Sequence, residues 1–412
     1  MGRQRNTTLE LLLTSYRLSH QDLADEINRV AAEMFGTPGE CTDRHVRRWI
    51  SGEVRWPWTR YLLPLQQIFD KPAQAMGFVP RGRGTRIPVP AAQPPVGRGS
   101  GGVVQRRTFL AGALIAALGI DQAPQRGRLG TSDVDRIGRT ITRLDSHFNG
   151  LGGGALIEVA TDYLHRLHHA LDHCSYGPRI EKALYRAISA TASCAGWSAH
   201  DCGRYDDASR LRNEALQAAL LAEDAVAQTR AWSDLAAQAE HSGRPAEAAR
   251  INRAALSERH VRHTPLITTL LHARLADCLG ATGDPSGMGR HLAAAERAYD
   301  RADTTTAPPS WLAFITPAEI SGLAAIAHQS AGSYDRAELL TTQTIELLAP
   351  QFTRNRTYYT VLLAELQLVQ GKHEQAALTV AGLKDSTNTS SRIARRLEGV
   401  TAALDQSRKG KP

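Results

Sequence analysis

From Thr7 to Phe78 apolar residues recur three and four positions apart, the spacing that lines one face of a helix. The pattern predicts four or five short helices. Thr7–Tyr16 carries leucines along one side. A helix opening after Ser19 turns Leu23, Ala24 and Ile27 inward and runs through Val30, Ala31 and Met34 to a break at Gly36-Thr37-Pro38-Gly39. Ser19 and Asp22 have the spacing of a capping box. Thr42–Gly52 predicts a helix with two unlike faces: Val46, Trp49 and Ile50 on one side, Arg44, Arg48, Ser51 and, more obliquely, Arg47 on the other. Thr42 stands where an N-cap belongs and Gly52 where a helix stops. Pro57 opens a further helix, and the unit closes near Met76-Gly77-Phe78.

The periodicity divides the chain. Residues 1–79 form the first unit. Residues 80–107 are rich in Pro, Gly and Arg, lack apolar periodicity and predict a flexible linker. Residues 108–129 predict a short apolar helix and connector, 130–385 an almost wholly helical domain, and 386–412 a short helix (Ile393–Leu404) with a polar tail.

The long helical stretch repeats. Gly203-Arg-Tyr-Asp-Asp-Ala208, Gly243-Arg-Pro-Ala-Glu-Ala248, Gly332-Ser-Tyr-Asp-Arg-Ala337 and Gly371-Lys-His-Glu-Gln-Ala376 share one frame, with Gly283–Met288 a degenerate copy. A small residue precedes each glycine by seven: Gly196, Ala236, Ala276, Ala325 and Ala364. Glycine lets the chain turn between antiparallel helices, and the small residues let them approach. The array resembles tetratricopeptide repeats, stretched beyond their usual period. That resemblance implies a right-handed α-solenoid whose stacked pairs bury faces no single pair could hide.

Composition agrees with an all-α protein. Aromatics are few, at 6%, and alanine is abundant. Of the +8 formal charge, six arginines and no acid lie in residues 81–107, a strip suited to holding phosphates without reading sequence. Five cysteines without a CxxC pair, no signal peptide and no apolar run long enough to span a bilayer predict a cytoplasmic protein away from the membrane.

The amino-terminal unit resembles the lambda-repressor-like, Cro/C1-type (XRE-like) helix-turn-helix. Leu18-Ser-His-Gln-Asp-Leu-Ala24 is similar to that family's second helix, and Val46-Arg-Arg-Trp-Ile-Ser-Gly52 to its third helix and following turn. Two features depart from it: His20 replaces the usual glutamine, and Ala24–Gly52 is about a dozen residues longer than in the compact version. The longer form, with Arg-Trp-x-x-Gly, Pro57 and Gly77-Phe78, looks like an actinobacterial subfamily that joins this head to tetratricopeptide repeats. The resemblance implies double-stranded operator DNA as partner. Arg44, His45 and Arg48 are then the base readers, with Arg47, Ser51 and Arg55 beside them. Ser19, His20 and Gln21 begin the second helix, where a phosphate is held. One short helix reads too few base pairs for specificity, which predicts a homodimer.

Other motifs weigh less. Asp162, His165, His169 and His173 share a helix stripe but read better as a polar face than as a metal site. Cys194, His200 and Cys202 lack ligand spacing. Gln105–Leu110 copies a twin-arginine export signal at the wrong place in the chain. Asn213 and Asn252, on the second helices of two repeats, are candidates for clamping a peptide effector in the concave groove. No phosphate loop or nucleophile–base set stands out, so neither enzyme, cofactor nor metal is predicted. The expectation is a sequence-specific transcriptional regulator whose repeats dimerise, bind a peptide or small-molecule effector, or both. The alternative is a scaffold whose repeats recruit a partner protein.

Overall fold

The computed structural model describes residues 5–16, 18–35, 40–69, 71, 73–79, 118, 120, 123–154, 156–303, 305–383 and 390–409. The basic strip, the Arg106-Arg107 motif, most of the apolar segment after it and the Gly36–Gly39 break lie outside these residues. The chain is all-α: among the described residues the strands are a two-residue parallel pair, Gly127–Arg128 beside Cys174–Ser175. It divides into two compact units, Met1–Ile87 and Pro88–Pro412.

The first unit holds α1 (Thr7–Tyr16), α2 (His20–Phe35), α3 (Asp43–Ile50), α4 (Thr59–Phe69) and a 3-10 turn at Ala73–Met76. The predicted capping box forms: Ser19 N–H donates to Asp22 Oδ2 at 2.8 Å, and Asp22 N–H to Ser19 Oγ at 3.1 Å. Leu23, Ala24 and Ile27 are buried, as their spacing requires, and α2 packs on α3 and α4. Much of the extra length between Ala24 and Gly52 is α2 itself, which continues to Phe35. Asn28 joins the far end of that connection: its Nδ2 donates to Cys41 O at 2.9 Å and its Oδ1 accepts from Cys41 N–H at 2.8 Å. Asn6 caps α1 by accepting from Leu9 N–H and also donates to Met76 O, closing the unit's ends together.

The second unit runs through α5 (Thr131–Leu151), α6 (Leu156–His173), α7 (Pro178–Asp201), α8 (Tyr205–Leu221), α9 (Ala225–His241), α10 (Pro245–Ser257) and α11 (Pro265–Ala281). It continues with α12 (Pro285–Asp300), α13 (Pro317–Ser330), α14 (Tyr334–Leu347), α15 (Thr353–Val369), α16 (His373–Ala381) and α17 (Ser391–Lys409). The five repeat glycines are the joints of five helical hairpins, all left-handed with φ between 72° and 77°. The residue after each reaches back to the same place: Arg204 N–H to Ala199 O, Arg244 to Ala239, Asp284 to Leu279, Ser333 to His328, Lys372 to Gln367. These are Schellman caps, which satisfy carbonyls that a helix end otherwise leaves bare. Ala236, Ala276, Ala325 and Ala364 are fully buried, so the small-residue frame marks close helix approach.

The array also closes on itself. Helix α5 packs on both α7 and α15, and α17 packs on both α15 and α7. Segment 386–412, expected to be a short helix and tail, instead supplies a 19-residue wall with Ile393, Val400 and Leu404 buried. Its apolar residues pack on the preceding helices, against Val361, Ala364, Ala376 and Val380.

Candidate functional site

Helix α3 presents its two faces as the pattern requires. Val46, Trp49 and Ile50 are buried, with the Trp49 ring 5.7 Å from Tyr61 and 6.4 Å from Phe78. Arg44 and Arg47 are exposed and Arg48 half-buried. Arg47 pairs with Asp43 one turn back, and Arg48 Nε meets Glu53 at 2.8 Å. Exposed pairs of this kind hold about 0–1 kcal/mol, so either guanidinium can exchange its carboxylate for another anion. Arg44 has no ion-pair partner among the described residues.

The other residues of the predicted DNA face are placed less freely. His45 Nδ1 accepts from Thr42 N–H at 3.1 Å, and its ring lies 5.3 Å from Tyr61, so one edge of it serves the cap and the core. Ser19 is committed to the α2 cap, and Gln21 Nε2 donates to Asp25 at 2.9 Å. The start of α2 therefore already carries its own carboxylate, Asp22, whose hydrogen bonds from Ser19 hold it below the usual carboxylate range. Ser51 is exposed, its hydroxyl donating to Arg48 O. Arg55 is exposed, and its carbonyl accepts from Val79 N–H. His20 is half-buried at the first position of α2.

The second unit forms a partly open cavity of about 200 Å³ between helices that lie far apart in sequence. Phe148, Trp197, Trp311, Phe314 and Tyr358 supply aromatic walls, and Leu270, Leu323 and Ile326 aliphatic ones. Four arginines face it, Arg230, Arg274, Arg354 and Arg392, with the acids Asp145, Asp234, Glu240, Asp277 and Glu319.

Most of these charges are spoken for. Arg230 meets Asp145 at 3.0 Å, whose other oxygen accepts from Ser310 at 2.7 Å. Arg354 grips Asp201 with two bonds, 2.7 and 2.6 Å, and Asp201 also accepts from Gly153 N–H. Burial pushes the Asp201 carboxyl up, but Arg354, Arg392 and Gly153 outweigh it and hold the group well below the usual carboxylate range. Glu319 accepts from Asn355 at 2.8 Å and Tyr359 at 3.1 Å. Asp234 Oδ1 accepts from the Trp197 indole at 2.8 Å. Arg274 donates to Ser233 O at 2.6 Å and lies over the Trp197 ring with Arg212. Burial beside Asp277 pushes the Glu240 carboxyl well above its usual range, so it stays protonated and can donate.

Asp234 Oδ2 and Asp277 Oδ1 are buried without a hydrogen-bond partner, and Arg392 is the least firmly held of the four arginines. It makes no hydrogen bond among the described residues; its Nε is buried without a partner, and its closest carboxylate, Asp201, stands 3.6 Å away and is already held by Arg354. The Tyr358 ring beneath it, 5.3 Å off, holds the guanidinium in place.

Asn213 and Asn252 are not brought to this cavity. Asn213 donates to Ser209 O of its own helix, and Asn252 is buried with its amide 3.9 Å from Cys278 Sγ. The cavity is lined instead by residues on helices that close the array. The His169 and His173 rings stack at 4.0 Å, and Asp162 pairs with Arg166. No group of three metal-ligating side chains forms among the described residues. None of their helices is long and apolar enough to cross a membrane.

Residues 9–63 match the family of the SP15 N-terminal domain. No curated protein matches the chain. Among solved structures it is similar to the crystal structure of BtubC (BKLC) from P. vanneervenii at 16% identity, covering 60% of this chain and 91% of that one. The TM-score of 0.37 is too low for that likeness to carry an argument.

Proposed function

We propose that the chain is a sequence-specific DNA-binding transcriptional regulator, with a helix-turn-helix head and a tetratricopeptide-like body that dimerises, senses an effector, or both. The observation that carries this is α3: an apolar face seated on α2 and an arginine face left outside, with Arg44 making no ion pair among the described residues. Arg44 and Arg48 are the best-placed base readers, because a guanidinium matches the paired acceptors of guanine. The placement of His45 weakens its claim as a reader. The body supports sensing through its cavity, since a ligand held between α5, α9, α13 and α15 has a means of preferring one arrangement of the chain.

The test is binding of the full chain to an operator selected from random DNA, alongside non-operator DNA. Arg44→Ala and Arg48→Ala are each expected to cost about 1–3 kcal/mol on the operator and relax the base preference, while Arg83→Ala lowers affinity evenly. Equal losses on both DNAs for all three would remove the readout assignment. If a co-purified protein, and no small molecule, changes operator affinity, the body is a recruiting scaffold.

A further inference from the structure

We propose that the partly open cavity of the second unit binds a small organic acid, its carboxylate received by Arg392 and its apolar body lying against Phe148, Trp311, Phe314 and Leu323. The assignment rests on reading the body as a sensor and names the chemistry it senses.

Three observations fix the sign of the ligand. First, Arg392 lines the cavity, steadied by Tyr358; its Nε faces Asp201 at 3.6 Å, and its side chain makes no hydrogen bond among the described residues. A carboxylate is the group that a guanidinium fork fits. Second, the cavity's acids offer a cation little. Asp145 and Glu319 have their hydrogen bonds filled, and Glu240 with Asp277 holds a proton. Third, the aromatic faces that would cage a cation already carry arginines: Arg230 over Trp311, Arg354 over Phe148, Arg392 over Tyr358.

The neighbouring carboxylates also limit the charge. With Asp145, Asp234 and Glu319 facing the same space, one negative charge is matched by Arg392, whereas a dianion such as phosphate would meet repulsion. Asp234 also lines the space, its Oδ2 buried without a hydrogen-bond partner. Three buried arginines around Asp234, Arg212, Arg230 and Arg274, disfavour a cationic amine there.

Calorimetric titration and thermal shift of the full chain test this with phenylacetate, cinnamate and hexanoate, their shape-matched amides, 2-phenylethylamine and inorganic phosphate. The acids are expected to bind about tenfold or more tightly than their amides, the worth of a charge-assisted bond. Arg392→Gln is expected to erase that difference. Leu323→Trp, which fills the space without touching a charge, is expected to abolish binding of acid and amide alike. Equal binding of acid and amide, stronger binding of the amine or of phosphate, an unchanged acid preference in Arg392→Gln, or no binding by any acid overturns the assignment. No DNA is present in these titrations, so their failure is distinct from failure of the head to recognise an operator.

Discussion

Glu223 stands where a glycine is expected. Five hairpin turns of the second unit place glycine in the left-handed region, but the turn between α8 and α9 places Glu223 there, at φ 52°. A residue with a Cβ pays about 1–2 kcal/mol for that conformation. The Glu223 side chain is mostly exposed and pairs with Lys182, a contact worth little at the surface. Glu223→Gly is therefore expected to stabilise the unit by up to about 1 kcal/mol, the strain relief being partly offset by glycine's entropy in the unfolded chain. Urea denaturation measures it; a clear loss of stability would mean that the Lys182 contact outweighs the strain.

At the scale of elements, Asp201 joins the two ends of the second unit. It is the last residue of α7, where the helix dipole disfavours a carboxylate. Arg354 on α15 and Arg392 on α17 make it tolerable there and bind the late helices to the early one. Asp201→Asn leaves buried guanidinium charge uncompensated and is expected to cost about 3–5 kcal/mol. Replacing Asp201 and Arg354 together with apolar residues is expected to recover most of that loss. Since the folded-state pKa of Asp201 is depressed, its contribution is present above the ordinary aspartate value of 3.8 and is lost as pH falls below it. Chemical denaturation at pH 7 and pH 3 checks both: the Asn variant should show the smaller difference between the two.

At the scale of the whole molecule, buried titratable groups shape stability against pH from both sides. His200 is driven down to about 2, and His272 and His328 to about 4, chiefly by burial. They fold neutral, so stability is lost as pH falls below about 6.5, where the unfolded histidines take up protons. Glu240 acts the other way. Its folded-state pKa is raised, so its contribution is full below the ordinary glutamate value of 4.5 and declines as pH rises toward the folded value. The melting temperature of the second unit is expected to peak near neutrality. Glu240→Gln, which keeps a donor and cannot ionise, is expected to flatten the alkaline side between pH 7 and 9. An unchanged alkaline limb in that variant would reassign the decline to other groups.

What was legible in the sequence is what is settled within a few residues. The Ser19–Asp22 cap, the two faces of Thr42–Gly52 and the five glycine turns depend on helical spacing and on backbone sterics, which act locally. The cavity was not legible. Arg354 meets Asp201 across 153 positions and Ser310 meets Asp145 across 165, and no local pattern predicts which distant helix ends will meet. Arg392 lies just outside the predicted Ile393–Leu404 helix, where no local pattern marks it, and Asn252 is buried rather than open to a ligand. The sequence by itself determined an all-helical chain, its hairpin joints and the exposed arginine face. Only the tertiary structure decided that the array closes, because closure is what brings Arg354 and Arg392 to the buried Asp201, and those partners exist only when the ends come together.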